Sequence, residues 1–312
     1  MKKVVYNQYG DFSRLQMVDV EMPVPAHDEV LVKVKAVAIN PLDWKLLEGQ
    51  LKIVTGKKFP RSIGIEFAGV IETIGRAVQN FKFGDQVFGL VETFKGGALA
   101  EFVAVKENSL AKMPEGLSFA QAASIPIGAL SAMQMIDTLA HVKKGDEVLI
   151  NGATGGVGVF AIQMAKRRGA TVTAVVSTRG IELAKDLGSD FVVDYSKENT
   201  LEMKKRFDVI LDLSDKLRFS MAKPLLKPQS VYATSYPNPV DLVRSALHNA
   251  ISRQKWRILT MKNDPAQMKE VCQFIQAGMK VIVGKSDSFA NYQQAFRETK
   301  KSGVLGKSVI VF

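Results

Sequence analysis

The chain has 312 residues, 46% of them hydrophobic and 23% charged, the composition of a folded globular protein of about two domains. Its single cysteine, Cys272, excludes an internal disulfide and any cysteine cluster for zinc or an iron–sulfur centre. The formal charge of +11 leaves an anionic ligand or a nucleic-acid partner open, with a solvated basic surface as the simpler reading.

In chain order, the first third predicts β structure. Lys2–Tyr6 is a short strand, and Glu29–Ile39 alternates valine with lysine as a half-buried strand does. Phe67–Ile74 and Gln86–Phe88 are further strands, and Pro23–His27 is a connecting loop. Many short strands punctuated by glycine predict a compact barrel-like unit. After about Leu117 the pattern changes. Ser118 caps a short helix, and Ala129–Leu139 continues as a second. From Glu147 strand and helix alternate: strand Glu147–Ile150, helix Val157–Arg168, strand Thr171–Val176, helix Ile181–Leu187, then strands Phe191–Asp194, Phe207–Leu211 and Ser230–Thr234. This is the βαβ logic of a doubly wound parallel sheet. Leu242–Trp256 predicts a helix, Trp256–Met261 a strand, Pro265–Ala277 a helix and Gly306–Phe312 a closing strand. The basic N-terminus has no apolar core for a signal peptide, and no stretch reaches the ~18 apolar residues of a membrane span, so the cytosol is the expected compartment.

The strongest motif is NGATGGVG, Asn151–Gly158, between an apolar strand and an apolar helix. Ala153, Gly155 and Gly158 hold the three positions of an A-x-G-x-x-G turn. Gly155 lets backbone approach a pyrophosphate, and Gly158 lets helix pack on strand. The next strand ends in Ser177, Thr178 and Arg179, with no acid until Glu182. A carboxylate there would favour the free ribose hydroxyls of NAD; two hydroxyls and a guanidinium favour the 2′-phosphate of NADPH.

A β-rich unit, a dinucleotide fold and a return to the first unit resembles the medium-chain dehydrogenase/reductase superfamily along the whole chain. The segments carrying it are Asn40–Asp43 (NPLD), Gly64–Val70 (GIEFAGV), Gly96–Glu101 (GGALAE), Ala122–Ala132 and NGATGGVG, the last close to the quinone oxidoreductase branch. The resemblance implies a GroES-like catalytic domain over residues 1–122, completed by 263–312, and a Rossmann NADPH-binding domain over 123–262. In zinc-dependent relatives a cysteine sits near the NPxD turn and a histidine precedes the glutamate; here Asn40 and Ile65 stand there. The expectation is therefore no metal, and transfer of hydride from NADPH to a quinone or to the C=C bond of an enone or enal.

The same resemblance implies the site. Asn40 would be catalytic, near the nicotinamide, although an Asn before Pro41 is also an ordinary turn residue. Trp44, Ile65 and Phe94 would line the substrate pocket. Ser131 would bond the nicotinamide amide; Gly152, Thr154, Gly155, Gly156 and Val157 would cradle the pyrophosphate. Ser177, Thr178, Arg179 and Tyr195 would surround the 2′-phosphate. Leu213 with Ser214, and Thr234 with Ser235, would line the nicotinamide ribose, and Lys307 would reach a phosphate or point to solvent. Cys272 reads as a small buried apolar residue. A homodimer is expected, with Val231–Ala233 and Trp256–Leu259 as candidate interface strands. A nucleotide-regulated RNA-binding protein is the alternative, motivated by charge alone, since no RNA-binding motif is present.

Overall fold

The structure, a computed structural model, describes residues 1–236 and 239–312. These divide into two compact units: residues 1–126 with 263–277 and 281–312, and residues 127–262 with 278–280.

The first unit opens with β1 (Lys2–Tyr6), β2 (Gln16–Asp19) and β3 (Glu29–Ala38). Helices α1 (Pro41–Leu47) and α2 (Lys52–Thr55) follow, then β4 (Arg61–Ser62), β5 (Glu66–Ile74), β6 (Gln86–Leu90), β7 (Phe102–Lys106) and β8 (Leu110–Lys112). α3 (Phe119–Ala123) is capped reciprocally by Ser118 and Gln121. β1, β2 and β4 form a three-stranded antiparallel sheet. The alternation in β3 puts Val30, Val32 and Val34 in a core with Phe67, Ile71 and Val87, and the register shift between Val34 and Ala36 brings Val37 into it as well.

The second unit starts in α4 (Pro126–Met133), prolonged by a π-helical turn, Gln134–Leu139. Then come β9 (Glu147–Asn151), α5 (Gly158–Arg167), β10 (Thr171–Val176), α6 (Ile181–Asp186), β11 (Phe191–Asp194), β12 (Phe207–Asp212), α7 (Phe219–Ala222), β13 (Leu226–Thr234), α8 (Pro239–Ile251) and β14 (Gln254–Ile258). The six strands are parallel, in the order β11-β10-β9-β12-β13-β14. Their sequence order is thus 3-2-1-4-5-6, the doubly wound dinucleotide-binding arrangement, with its switch point between β9 and β12. The chain then returns to the first unit through α9 (Pro265–Gln276), β15 (Val283–Ser288), α10 (Tyr292–Ser302) and β16 (Lys307–Val311). β16 pairs with β3 and β15, completing a seven-stranded sheet of β3, β5, β6, β7, β8, β15 and β16.

The helix expected to run to Trp256 stops at Ile251, and Trp256 lies in β14, opposite Tyr232 of β13. The sequence pattern does not reveal β15, whose GKSDS stretch is polar because it edges its sheet. Neither expected interface strand offers a free edge over its length. β13 lies between β12 and β14. The outer side of β14 is closed by α8: Asn249 Nδ2 donates to the Trp256 carbonyl and Asn249 Oδ1 accepts the Trp256 N–H, both at 2.8 Å. At Gln254, the carbonyl meets His248 Nε2 at 2.8 Å and the N–H is taken by Ser252 Oγ at 3.1 Å. Cys272 in α9 is half-buried rather than buried, and burial pushes its thiol up to about 11. Among the described residues no helix is long and apolar enough to cross a membrane.

Candidate functional site

In the second unit, the chain leaves β9 through a tight turn. Gly152 takes a φ of +80°, a left-handed conformation that L side chains rarely adopt. A Cβ on Gly158 would fall 2.4 Å from the Ala153 carbonyl oxygen, so only glycine lets α5 start there. Gly155 is different: a Cβ there would meet only the Gly152 carbonyl, at 3.4 Å, leaving its outer side open. Val157, at the N-cap of α5, has no side chain that can accept a capping hydrogen bond. Among the described residues the N–H groups of Gly156, Val157 and Gly158 therefore have no hydrogen-bond partner, the state of a helix end that can receive an anion. α4 packs on the same turn, since a Cβ on Gly128 would lie 2.5 Å from the Gly156 carbonyl oxygen; the buried Ser131 lies three residues further along α4.

The strand ends beside this turn converge. Asn151 Nδ2 donates to Asp212 Oδ1 at 2.9 Å and to Ser214 Oγ at 2.8 Å. The Ser214 N–H and hydroxyl also donate to Asp212 Oδ1. Asp212 Oδ2, in a residue only 1% exposed, has no partner among the described residues. It is a buried acceptor awaiting a donor. Leu213 follows, its N–H bonded to the Asn151 carbonyl, and the Ser235 N–H donates to the Asp212 carbonyl. Sequence reasoning expects Leu213, Ser214, Thr234 and Ser235 here and misses Asp212; the signal was an acid closing the apolar run Val209–Leu211.

At the end of β10, Gly180 abuts Thr154: a Cβ there would be 2.6 Å from Thr154 Oγ1. The Ser177–Gly180 turn thus packs on the glycine turn. Arg179 and Tyr195 are exposed. Thr178 is placed differently from expectation: its hydroxyl donates to Asp194 Oδ2 at 2.6 Å and is not free to donate to a phosphate. That bond, with the Ser196 N–H, holds the Asp194 carboxyl below the usual carboxylate range.

In the first unit, Asn40 precedes α1 and is 3% exposed. Its Nδ2 donates to Glu66 Oε1 at 2.9 Å and to the Ala38 carbonyl at 3.3 Å, and its Oδ1 accepts from Lys307 Nζ. Lys307 also forms a buried ion pair with Glu66. An ammonium only donates and a carboxylate only accepts, so the amide orientation is determined. Two corrections follow. Lys307 does not extend to a phosphate or to solvent; it is 5% exposed and committed within this unit. Both Asn40 N–H bonds are occupied, so the amide has none left for a developing oxyanion. Asp43 completes the network, accepting the Asn40 N–H at 2.8 Å and the Gly64 N–H at 3.1 Å. Burial outweighs those two bonds and pushes its carboxyl up to about 7.

The three expected pocket residues do not share one environment. Trp44 is half-buried against the first unit's core, and Phe94 is 45% exposed. Ile65 has no accessible surface, so it is packed inside and walls no open cavity.

The comparisons with known proteins agree with this architecture. The description "Alcohol dehydrogenase GroES-like domain" matches residues 26–115, and "Zinc-binding dehydrogenase" matches residues 187–310. The chain is 30% identical to quinone-oxidoreductase QR1 of Triphysaria versicolor, covering 99% of this chain and 98% of that protein. It is 37% identical to the NADPH-dependent alkenal/one oxidoreductase of Arabidopsis thaliana, over 68% of this chain and 57% of that protein. The quinone oxidoreductase structure from Coxiella burnetii superposes with a TM-score of 0.90 at 26% identity, covering 100% of this chain and 99% of that one. The chain is an oxidoreductase, and it belongs to the medium-chain dehydrogenase/reductase superfamily, in its quinone oxidoreductase-like branch.

Proposed function

We propose that the chain is an NADPH-dependent, zinc-independent reductase of quinones or of the C=C bond of enones and enals. The observation carrying the cofactor reading is the pairing of opposite polar deficits around one turn. Three unpartnered N–H groups at Gly156–Gly158 suit a diphosphate, and the orphaned buried Asp212 Oδ2 suits a ribose hydroxyl. Ser131, Gly152, Thr154 and Gly155 shape the same place, with Leu213 and Ser235 at the neighbouring strand ends. When bound, a reduced nicotinamide supplies the hydride. This chain's residues bind and orient it.

The NADPH preference rests on Ser177, Arg179 and Tyr195 at the ends of β10 and β11, with no acid at the end of β10 itself. Asp194 favours a second reading. Its carboxylate, tied to Thr178, could instead meet ribose hydroxyls and admit NADH. Fluorescence titration separates the two. NADPH should bind at least tenfold tighter than NADH, and Arg179→Ala should weaken NADPH alone. Equal affinities, or an equal loss for both, would refute the NADPH reading.

Zinc does not fit the first unit's network. Asn40 and Glu66 are already bonded by the Lys307 ammonium, a cation in place of a metal, and no cysteine or histidine belongs to the set. Asn40 is then held as a rigid polar surface rather than as a hydrogen-bond donor. Steady-state NADPH oxidation with a quinone panel and an enone panel assigns the acceptor, and turnover with neither would refute the reductase reading. A homodimer, which the resemblance implies, would meet a β14 edge whose Gln254 and Trp256 backbone groups are already partnered by His248, Asn249 and Ser252. The RNA-binding alternative gains no support from the comparisons.

A further inference from the structure

An acid stands beside the strand end that the NADPH reading assigns to the 2′-phosphate, and it is held back. The residues that follow β10, Ser177–Gly180, contain no acid, but the neighbouring strand β11 ends on one, Asp194, opposite Val176 of β10. A carboxylate open to the adenosine ribose accepts its hydroxyls and repels a 2′-phosphate. Asp194 is not open in this sense. It is 5% exposed, and each of its oxygens already has a donor. The Thr178 hydroxyl donates to Oδ2 at 2.6 Å, and the Ser196 N–H donates to Oδ1 at 3.0 Å. The Lys197 ammonium stands 3.9 Å from Oδ2, so its charge partly offsets that of the carboxylate.

The bond from Thr178 also joins two turns. The Tyr195 N–H donates to the Val176 carbonyl at 3.0 Å, and the Lys197 and Glu198 N–H groups both donate to the Asp194 carbonyl at 2.9 Å. Backbone bonds thus fix the turn after β11 and its start against the end of β10. The Thr178 hydroxyl fastens the turn after β10 to this frame. Each linked residue is followed at once by a residue on which the NADPH preference rests: Arg179 follows Thr178 and Tyr195 follows Asp194, both exposed. Gly180 seats the first turn on the glycine turn, beside Thr154. Valine has nearly the shape of threonine and lacks only the hydroxyl. Deleting that hydroxyl takes from Asp194 Oδ2 its nearest donor, and a carboxylate so deprived turns toward the donors that remain, water or a ribose hydroxyl.

We propose that Thr178 is a positioning residue for cofactor choice: its hydroxyl withholds the Asp194 carboxylate from the ribose and keeps Arg179 and Tyr195 on adjoining turns for a 2′-phosphate. The proposal rests on the NADPH reading, and fluorescence titration of both cofactors tests the two separately. Wild type should prefer NADPH at least tenfold. Thr178→Val should lower that preference roughly tenfold or more, the worth of one hydrogen bond to a charged group, by weakening NADPH and leaving NADH as tight or tighter. Thr178→Ser, which keeps the hydroxyl, should hold the wild-type preference. Adding Asp194→Asn to Thr178→Val should restore most of it, because no charge remains to repel the phosphate. Asp194→Asn alone should bind NADPH at least as tightly as wild type and NADH no more weakly; it decides the matter if circular dichroism shows Thr178→Val unfolded. Without cofactor, carboxyl-carbon NMR should find Asp194 titrating below the usual carboxylate range in wild type and higher in Thr178→Val. An equal loss of both cofactors in Thr178→Val, as a merely structural role would give, overturns the proposal and leaves the NADPH reading intact. A tenfold loss of NADH in Asp194→Asn overturns it as well, because the acid would then be a ribose ligand. Equal affinities in wild type would end the NADPH reading and this proposal together.

Discussion

Buried charge in the first unit makes its residue-scale behaviour testable. Glu66 is fully buried and its ion-pair partner is Lys307, itself 5% exposed. Removing one member of such a pair leaves the other uncompensated, so Lys307→Met should cost about 3–5 kcal/mol of stability. Adding Glu66→Gln to Lys307→Met should restore much of it, and chemical denaturation of the three variants measures this. Asp43 gives a pH dependence of definite sign. Its folded carboxyl stands at about 7, raised from an ordinary 3.8, with Lys307 opposing and Glu66 reinforcing the rise. The folded state therefore holds a proton that the unfolded chain releases near pH 4. The associated stability is present below that pH and is lost as pH rises to about 7. The stability of wild type relative to Asp43→Asn should accordingly be greater at pH 5 than at pH 8, as thermal melts at the two pH values would show. The sequence motif marks Asn40 and Asp43 as notable, but Lys307 lies 267 residues from Asn40, and only the pairing of β16 with β3 brings them together.

Among the elements, the turn from β9 to α5 separates two duties of glycine. Gly158 is structural: a methyl there would strike the Ala153 and Gly152 carbonyl oxygens, so Gly158→Ala should lose about 1–3 kcal/mol. Gly155 faces open space, and Gly155→Ala should fold with nearly wild-type stability while weakening NADPH binding at least tenfold, because the methyl stands where the ligand must approach. Melting curves and titration of the two variants should thus give opposite patterns. At the far side of the sheet, Asn249 substitutes for a neighbouring strand by satisfying both Trp256 backbone groups. Asn249→Ala should cost about 1–3 kcal/mol and expose a sheet edge prone to self-association, measurable by denaturation and light scattering. The strands in this unit were legible because parallel strands buried on both faces read as apolar runs. The edge strands β2 and β15 and the two-residue β4 were not, since pairing at an edge or over two residues leaves no periodicity to read.

At the scale of the whole molecule, cofactor binding should stabilise the fold by mass action, by about 2.7 kcal/mol at a hundredfold excess over Kd. NADPH should raise the melting temperature with a concentration dependence that follows the titrated affinity; a flat response would separate the turn geometry from cofactor binding. The sequence by itself determined the class of each unit, the βαβ order, the glycine turn and the superfamily, because local periodicity and turn chemistry are written in neighbouring residues. It also excluded cysteine-based metal chemistry through composition alone. Tertiary structure decided what distant residues do to one another. It gave Lys307 to Glu66 and Asn40 instead of a phosphate, spent the Thr178 hydroxyl on Asp194, left Asp212 Oδ2 without a partner among the described residues, and set Asn249 of α8 against the edge of β14. Those outcomes depend on which groups meet across the chain, and hydrogen-bond capacity used by one partner is unavailable to another.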